Sequence, residues 1–315
     1  MSLIPATDII RRAEESGART VALQFPEGLK RKAFLVASDL KKAGFSVIIN
    51  GDPCYGSCDL CLDTKEMADL LIHFGHAPVD ERAGVCYEYV HYEIDVHVIE
   101  KALPFLNGKK TGLITTIQHV HQVSEMRAFL ESKGIECLVG DGGGRTPFPG
   151  QVLGCSFEEA KKTGADEILF VGTGLFHPIG VQLSTGARVI AVDPYSGEVQ
   201  EVSASRLLRR RFLQIEKARG AESVGIILSL KSGQKRTELA TYLAGLSENA
   251  FIITMREVTP EALINLGFDC YVNTACPRLA YDDQVRFPVP LLSPAEFEIA
   301  CGVREWDEYI IDEIP

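Results

Sequence analysis

A chain of 315 residues with a formal net charge of −11 lacks the positive surface that general nucleic-acid binding needs to displace counterions from phosphates. Its composition, 46% apolar and 24% charged with no biased tract, excludes fibrous and disordered classes, and the length leaves room for two or three compact units, each with its own core. No run of about 18 apolar residues appears, and the opening MSLIPATDIIRRAEE lacks the basic start and apolar stretch of a signal peptide, so a cytoplasmic protein acting on a small molecule or another protein is expected, with no membrane association and no direct nucleic-acid binding.

In chain order, the first predicted strand is TVALQF, at 20–25. A helix follows with Leu29, Ala33, Val36, Leu40 and Ala43 on one stripe, then Gly44 and the strand SVIIN. The same opening recurs at TGLITT, with Val123, Met126 and Leu130 on the helix, a stop at Gly134 and the short strand ECLVG. A third copy begins at SVGIILSL, carries Leu239, Tyr242, Leu243 and Leu246, and resumes as AFIITM. A further apolar run extends each copy: ADLLIHFG at 68–75, DEILFVG at 166–172 and FDCYVNTA at 268–275. The expected fold class is α/β: three similar small α/β domains, an internal triplication with mainly parallel sheets, around a central site. The units are set at 1–105, 106–203 and 204–315. A single large doubly wound sheet is the competing arrangement. Because parallel strands are covered on both faces, their carboxyl-end loops are free to meet at one point. The one basic cluster, LLRRRF at 207–212, falls on a predicted helix with Leu207, Leu208, Phe212 and Ile215 as its apolar face, which leaves Arg209, Arg210 and Arg211 as solvated charges.

In a reducing compartment nine cysteines are more often buried, metal-bound or catalytic than paired. Cys137 and Cys270 lie within predicted strands, and Cys86 and Cys301 have no ligand-type neighbours, so all four are expected to be buried structural thiols. The other five sit in post-strand loops, GDPCYGSCDLC at 51–61, PGQVLGCSF at 149–157 and NTACPR at 273–278, one loop per copy. A thiolate at a strand end reaches a shared cavity while the sheet fixes its backbone. Locally, Cys54, Cys58 and Cys61 also read C-x3-C-x2-C, a spacing used by most radical S-adenosylmethionine enzymes. Leu60 stands where that group has an aromatic residue, and the loop follows a second strand rather than a first. A zinc site would need a fourth Cys or His at short paired spacing, which the sequence does not supply.

With these loops identified, the chain resembles the archaeal diphthamide-biosynthesis family, the 2-(3-amino-3-carboxypropyl)histidine synthases. The resemblance rests on QFPEGL at 24–29, GDPCYGSCD at 51–59, TTIQHVHQ at 115–122, GQVLGCS at 150–156, GTGLFHPIG at 172–180, LSLKSGQ at 228–234 and NTACPRLAYDD at 273–283, in the family's order. It implies three similar domains, each giving one cysteine to a 4Fe-4S cluster, and carries over to Cys58, Cys155 and Cys276. Cys54 and Cys61 then become non-ligands. Three thiolates leave one iron without a protein ligand, the open position a catalytic metal centre needs. By similarity, S-adenosyl-L-methionine is the substrate there. One electron breaks the bond from sulfur to the methionine γ-carbon, and the 3-amino-3-carboxypropyl radical adds to an imidazole carbon of a histidine of elongation factor 2, the first step of diphthamide biosynthesis.

The resemblance also implies a homodimer and an external electron donor. Gln24, Glu27, Gln118, His119, His121, Gly172, Gly174 and His177 are the candidate substrate-binding residues, at strand ends and in loops where polar groups or a bare backbone can approach a ligand. Two other readings share the fold and cluster. A quinolinate synthase-like lyase and condensing enzyme would need a phosphate site and no S-adenosylmethionine, and a noncatalytic electron-relay subunit would be expected to have lost ligands.

Overall fold

The computed structural model describes residues 6–79, 82–108 and 110–315. Thr20–Gln24 (β1), Ser46–Ile49 (β2), Leu70–Phe74 (β3) and Val85–Glu88 (β4) form one parallel sheet in the order β2-β1-β3-β4. Lys110–Thr115 (β5), Glu136–Leu138 (β6), Glu167–Val171 (β7) and Arg188–Val192 (β8) repeat that order, and Val199–Glu201 (β9) adds an antiparallel edge. Val224–Ser229 (β10), Ala250–Met255 (β11), Cys270–Asn273 (β12) and Leu291–Leu292 (β13) give the third copy, again parallel, in the order β11-β10-β12-β13. Three sheets replace the single large one that the repeats left possible.

The strands' sequences explain their places. Every residue of EILFV in β7 and of VGIILS in β10 is buried, as a central parallel strand covered on both faces requires. The edge strands β2 and β11 alternate or expose their side chains. Helix Val123–Ser132 buries Val123, Met126 and Leu130 at the helical period against Leu113 and Leu169. Each such leucine contributes about 1.5–3 kcal/mol by leaving water. Tyr281 and Ile311, beyond β12, pack with Phe157 and Phe170 in the core of the second sheet, so the second and third sheets share apolar contacts.

Two expectations about the third copy are corrected. Arg211 is not solvated: it is 1% exposed, donates from Nε to Glu296 at 2.8 Å, and donates to the carbonyls of Ala280 and Leu291 at 2.6 and 2.7 Å. On helix Ser205–Ala218 the buried stripe is Leu207, Arg211, Ile215 and Ala218, whereas Phe212 is 44% exposed. The period was right, but the core it faces contains a carboxylate. Cys301 is exposed rather than buried, because it caps helix Pro294–Ala300 at its carboxyl end. Among the described residues no helix is long and apolar enough to cross a membrane.

Candidate metal centre

Segments at 55–58, 76–79, 116–118, 145–155, 176–177 and 276–278, loops and helix starts that follow the carboxyl ends of parallel strands, line one cavity of about 260 Å³. Cys58 enters it from the loop after β2, Cys155 from the loop after β6 and Cys276 from the loop after β12, one thiol from each sheet. Of the local triplet only Cys58 reaches it. Cys54 is buried elsewhere, and Cys61 lines a separate pocket with Gln24, Asp59 and Lys231. A larger depression of about 890 Å³, lined by Lys161, Arg236, Asp312 and Glu313 among others, holds no thiol, so volume alone does not locate the chemistry.

The backbone of each cysteine is pinned. The Cys58 carbonyl accepts from Gly233 N at 3.1 Å, that of Cys155 from Ile314 N at 2.8 Å, and that of Cys276 from Asn273 Nδ2 at 2.8 Å. The chain following β10 therefore secures cysteines of both other sheets. Burial pushes the Cys155 thiol up to about 11 and the Cys276 thiol up to about 12, and the neighbouring sulfurs add to both shifts. Burial also raises Cys58, against an opposing hydrogen bond from Gln234. Among the described residues lining the cavity there is no carboxylate, and Ile117, Val152 and Phe176 supply apolar wall. A set of three sulfurs without hard oxygen anions suits soft, thiolate-seeking iron rather than magnesium or calcium.

The other predicted site residues divide. Gln118 and His177 line the cavity, and burial pulls His177 down to about 4, leaving it neutral. Gln24 is buried beneath the Cys58 loop: its Oε1 accepts from Cys61 N at 3.3 Å and its Nε2 donates to Asp59 O at 2.7 Å. Glu27 lies off the cavity in an exposed pair with Lys30 at 2.6 Å. His119 bonds the Tyr92 carbonyl at 3.0 Å, and His121 pairs with Glu93 at 3.1 Å and stacks on His91, so neither imidazole enters the cavity. Gly172 lies against Phe170, where a Cβ would come within 2.7 Å of the ring, and Gly174 adopts φ +74° in open space, so close packing and a turn account for these glycines.

Several contributors were not singled out from sequence. His76 lines the cavity, Arg145 lines it beside Cys155 and donates from Nη2 to the Gly233 carbonyl at 3.0 Å, and the Nε of Arg145 is buried without a partner. His73 Nδ1 lies 2.9 Å from Gln24 Oε1, and His73 Nε2 lies 3.0 Å from His76 Nδ1. Because Gln24 Oε1 accepts from a backbone N–H, His73 carries its proton on Nδ1 and His76 donates to its Nε2. Burial holds both imidazoles neutral, down to about 3 and about 4. Cys54 brings its sulfur to within 4.8 Å of this pair, but hydrogen bonds already occupy both nitrogens of His73 and one of His76. A signal existed in GHAP: Gly75, at φ +81°, turns the chain directly after β3 and delivers His76 to the strand's carboxyl end.

The family described as diphthamide synthesis protein matches residues 25–311. The 2-(3-amino-3-carboxypropyl)histidine synthase of Pyrococcus horikoshii is 37% identical over 99% of this chain and 93% of its own length. Subunit 1 of the same synthase from Encephalitozoon cuniculi is 33% identical over 96% and 88%. The crystal structure of Dph2 from Pyrococcus horikoshii with a 4Fe-4S cluster superposes with a TM-score of 0.93 at 35% identity, covering 99% of this chain and 94% of that one. With the motifs, the threefold topology and near-complete coverage in agreement, this chain belongs to the diphthamide synthesis family.

Proposed function

We propose that this chain is the transferase that cleaves S-adenosyl-L-methionine between sulfur and the γ-carbon and places the 3-amino-3-carboxypropyl group on a histidine of elongation factor 2. The observation that carries the reading is the meeting of Cys58, Cys155 and Cys276, one from each sheet, in one cavity whose described lining holds no carboxylate. They are the residues that would hold a 4Fe-4S cluster, as the similar Pyrococcus horikoshii structure does. When bound, such a cluster supplies one electron to the sulfonium at the iron that lacks a protein ligand.

The protein's own residues do the rest. Ile117, Val152 and Phe176 exclude water from the reacting carbon, which protects a reactive fragment from side reactions. Arg145, with a buried and unpartnered Nε at the cavity wall, offers a donor to the substrate carboxylate. Neutral His76 and His177 add polar contacts without adding positive charge beside a sulfonium. The three units divide near 105 and 203, and the working form is a cytoplasmic homodimer supplied by an external electron donor.

The test is transfer. Anaerobically reconstituted and reduced protein, given S-adenosylmethionine and an archaeal elongation factor 2, is expected to raise the factor's mass by one 3-amino-3-carboxypropyl group. The increase should vanish when the target histidine is replaced. A cluster-loaded protein that leaves the factor unchanged contradicts the reading.

A further inference from the structure

The segment 231–234 follows β10 and meets the Cys58 loop with three contacts in four residues. Lys231 Nζ pairs with Asp59 at 2.7 Å, Gly233 N donates to the Cys58 carbonyl at 3.1 Å, and Gln234 Nε2 donates to Cys58 Sγ at 3.2 Å. The approach is backbone on backbone: a Cβ on Gly233 would lie 2.5 Å from Cys58 Cα, a separation only glycine allows. Gln234 is 5% exposed, and the hydrogen-bond chain behind it fixes which end of its amide faces the sulfur. Lys231 N donates to Ser229 Oγ at 3.1 Å, which leaves the Ser229 hydroxyl proton for Gln234 Oε1 at 3.4 Å. The amide nitrogen is thereby turned to Cys58.

Resting on the reading of Cys58 as a cluster ligand, we propose that Gln234 is a positioning residue that sets the cluster's reduction potential through an N–H···S hydrogen bond to Cys58. A proton donated to a ligating sulfur draws electron density from it and favours the state that carries the extra electron, so it raises the potential. Burial keeps the amide dipole unscreened, and a neutral amide does this without adding charge to the cavity. Cys155 faces the charged guanidinium of Arg145, and no side-chain amide donates to Cys155 or Cys276 among the described contacts, so Cys58 is the sulfur that takes its hydrogen bond from a neutral amide.

The experiment is an anaerobic redox titration of the reconstituted full chain, read by electron paramagnetic resonance, with iron and sulfide measured on each sample. Gln234→Leu removes the donor at similar volume. Its one-electron reduction equilibrium is expected to fall about tenfold, a midpoint more negative by about 59 mV, at unchanged iron content. Gln234→Glu, which turns an anion toward the sulfur, should shift it at least as far. An unchanged midpoint in fully loaded Gln234→Leu overturns the proposal. If that variant loses its cluster, Ser229→Ala frees the amide without touching Cys58, and a smaller shift of the same sign is expected; no shift there also overturns it. Equal iron loading in wild type and Cys58→Ala would refute the ligand assignment instead, and is told apart because it appears in iron content rather than in potential.

Discussion

Cys58 and Cys276 enter the same cavity but are held in opposite ways. The support of Cys58 comes from far along the chain: the Gln234 contact spans 176 residues, and the Lys231–Asp59 contact beside it spans 172. The support of Cys276 is local, since Asn273 reaches its carbonyl from three residues away and Leu279 N donates to it at 3.1 Å. A locally held ligand is shaped by its own loop. A remotely held one is in place only while two sheets keep their mutual position, so cluster binding and the packing of the third sheet against the first are linked at Cys58 and not at Cys276.

That contrast can be broken in several places. The largest effect is expected from removing the sulfurs themselves: Cys58→Ala, Cys155→Ala and Cys276→Ala should each abolish or severely reduce iron and sulfide loading, while Cys86→Ala and Cys137→Ala should load as wild type does. Next is Glu296→Ala, which leaves the Arg211 guanidinium buried without its carboxylate and should cost about 3–5 kcal/mol of stability, measured by urea denaturation. Because the chain after β10 secures Cys58 through Gly233 and Cys155 through Ile314, that variant is expected to load less cluster although all three cysteines remain.

A smaller and more selective effect is expected from Gly233→Ala. Its Cβ would collide with the Cys58 backbone, an overpacking worth about 1–3 kcal/mol, and reconstitution should fall although every cysteine remains. Asn273→Ala is the local counterpart. It removes two hydrogen bonds, the one to the Cys276 carbonyl and the one accepted from Ala275 N, about 1 kcal/mol each, and should slow loading without altering the midpoint set at Cys58. Equal sensitivity of the two cysteines to Gly233→Ala and Asn273→Ala would show that the difference in support has no energetic content.

The same contrast marks what could be read from sequence. The first three strands of every copy were legible because each is a continuous apolar run beside a periodic helix. The fourth strands were not: Val85–Glu88 carries a cysteine and a glutamate, and Leu291–Leu292 is only two residues long after a proline-rich turn. The post-strand thiols were legible as candidates, and the motif resemblance chose among Cys54, Cys58 and Cys61. The contacts that separate them physically, from Gly233 and Gln234, are long-range and leave no local pattern. LSLKSGQ stood out as a motif but offered no role until the third sheet was seen against the first. Arg211 shows the converse: its helical phase was visible, yet nothing near it in sequence announced Glu296, 85 residues away.

The most direct test of the account is product chromatography after a single anaerobic reduction of the reconstituted chain with S-adenosylmethionine. Methylthioadenosine together with a four-carbon amino-acid fragment is the predicted outcome, lost in Cys58→Ala, Cys155→Ala and Cys276→Ala alike. Mainly 5′-deoxyadenosine and methionine, or no cleavage by a fully loaded chain, would contradict it.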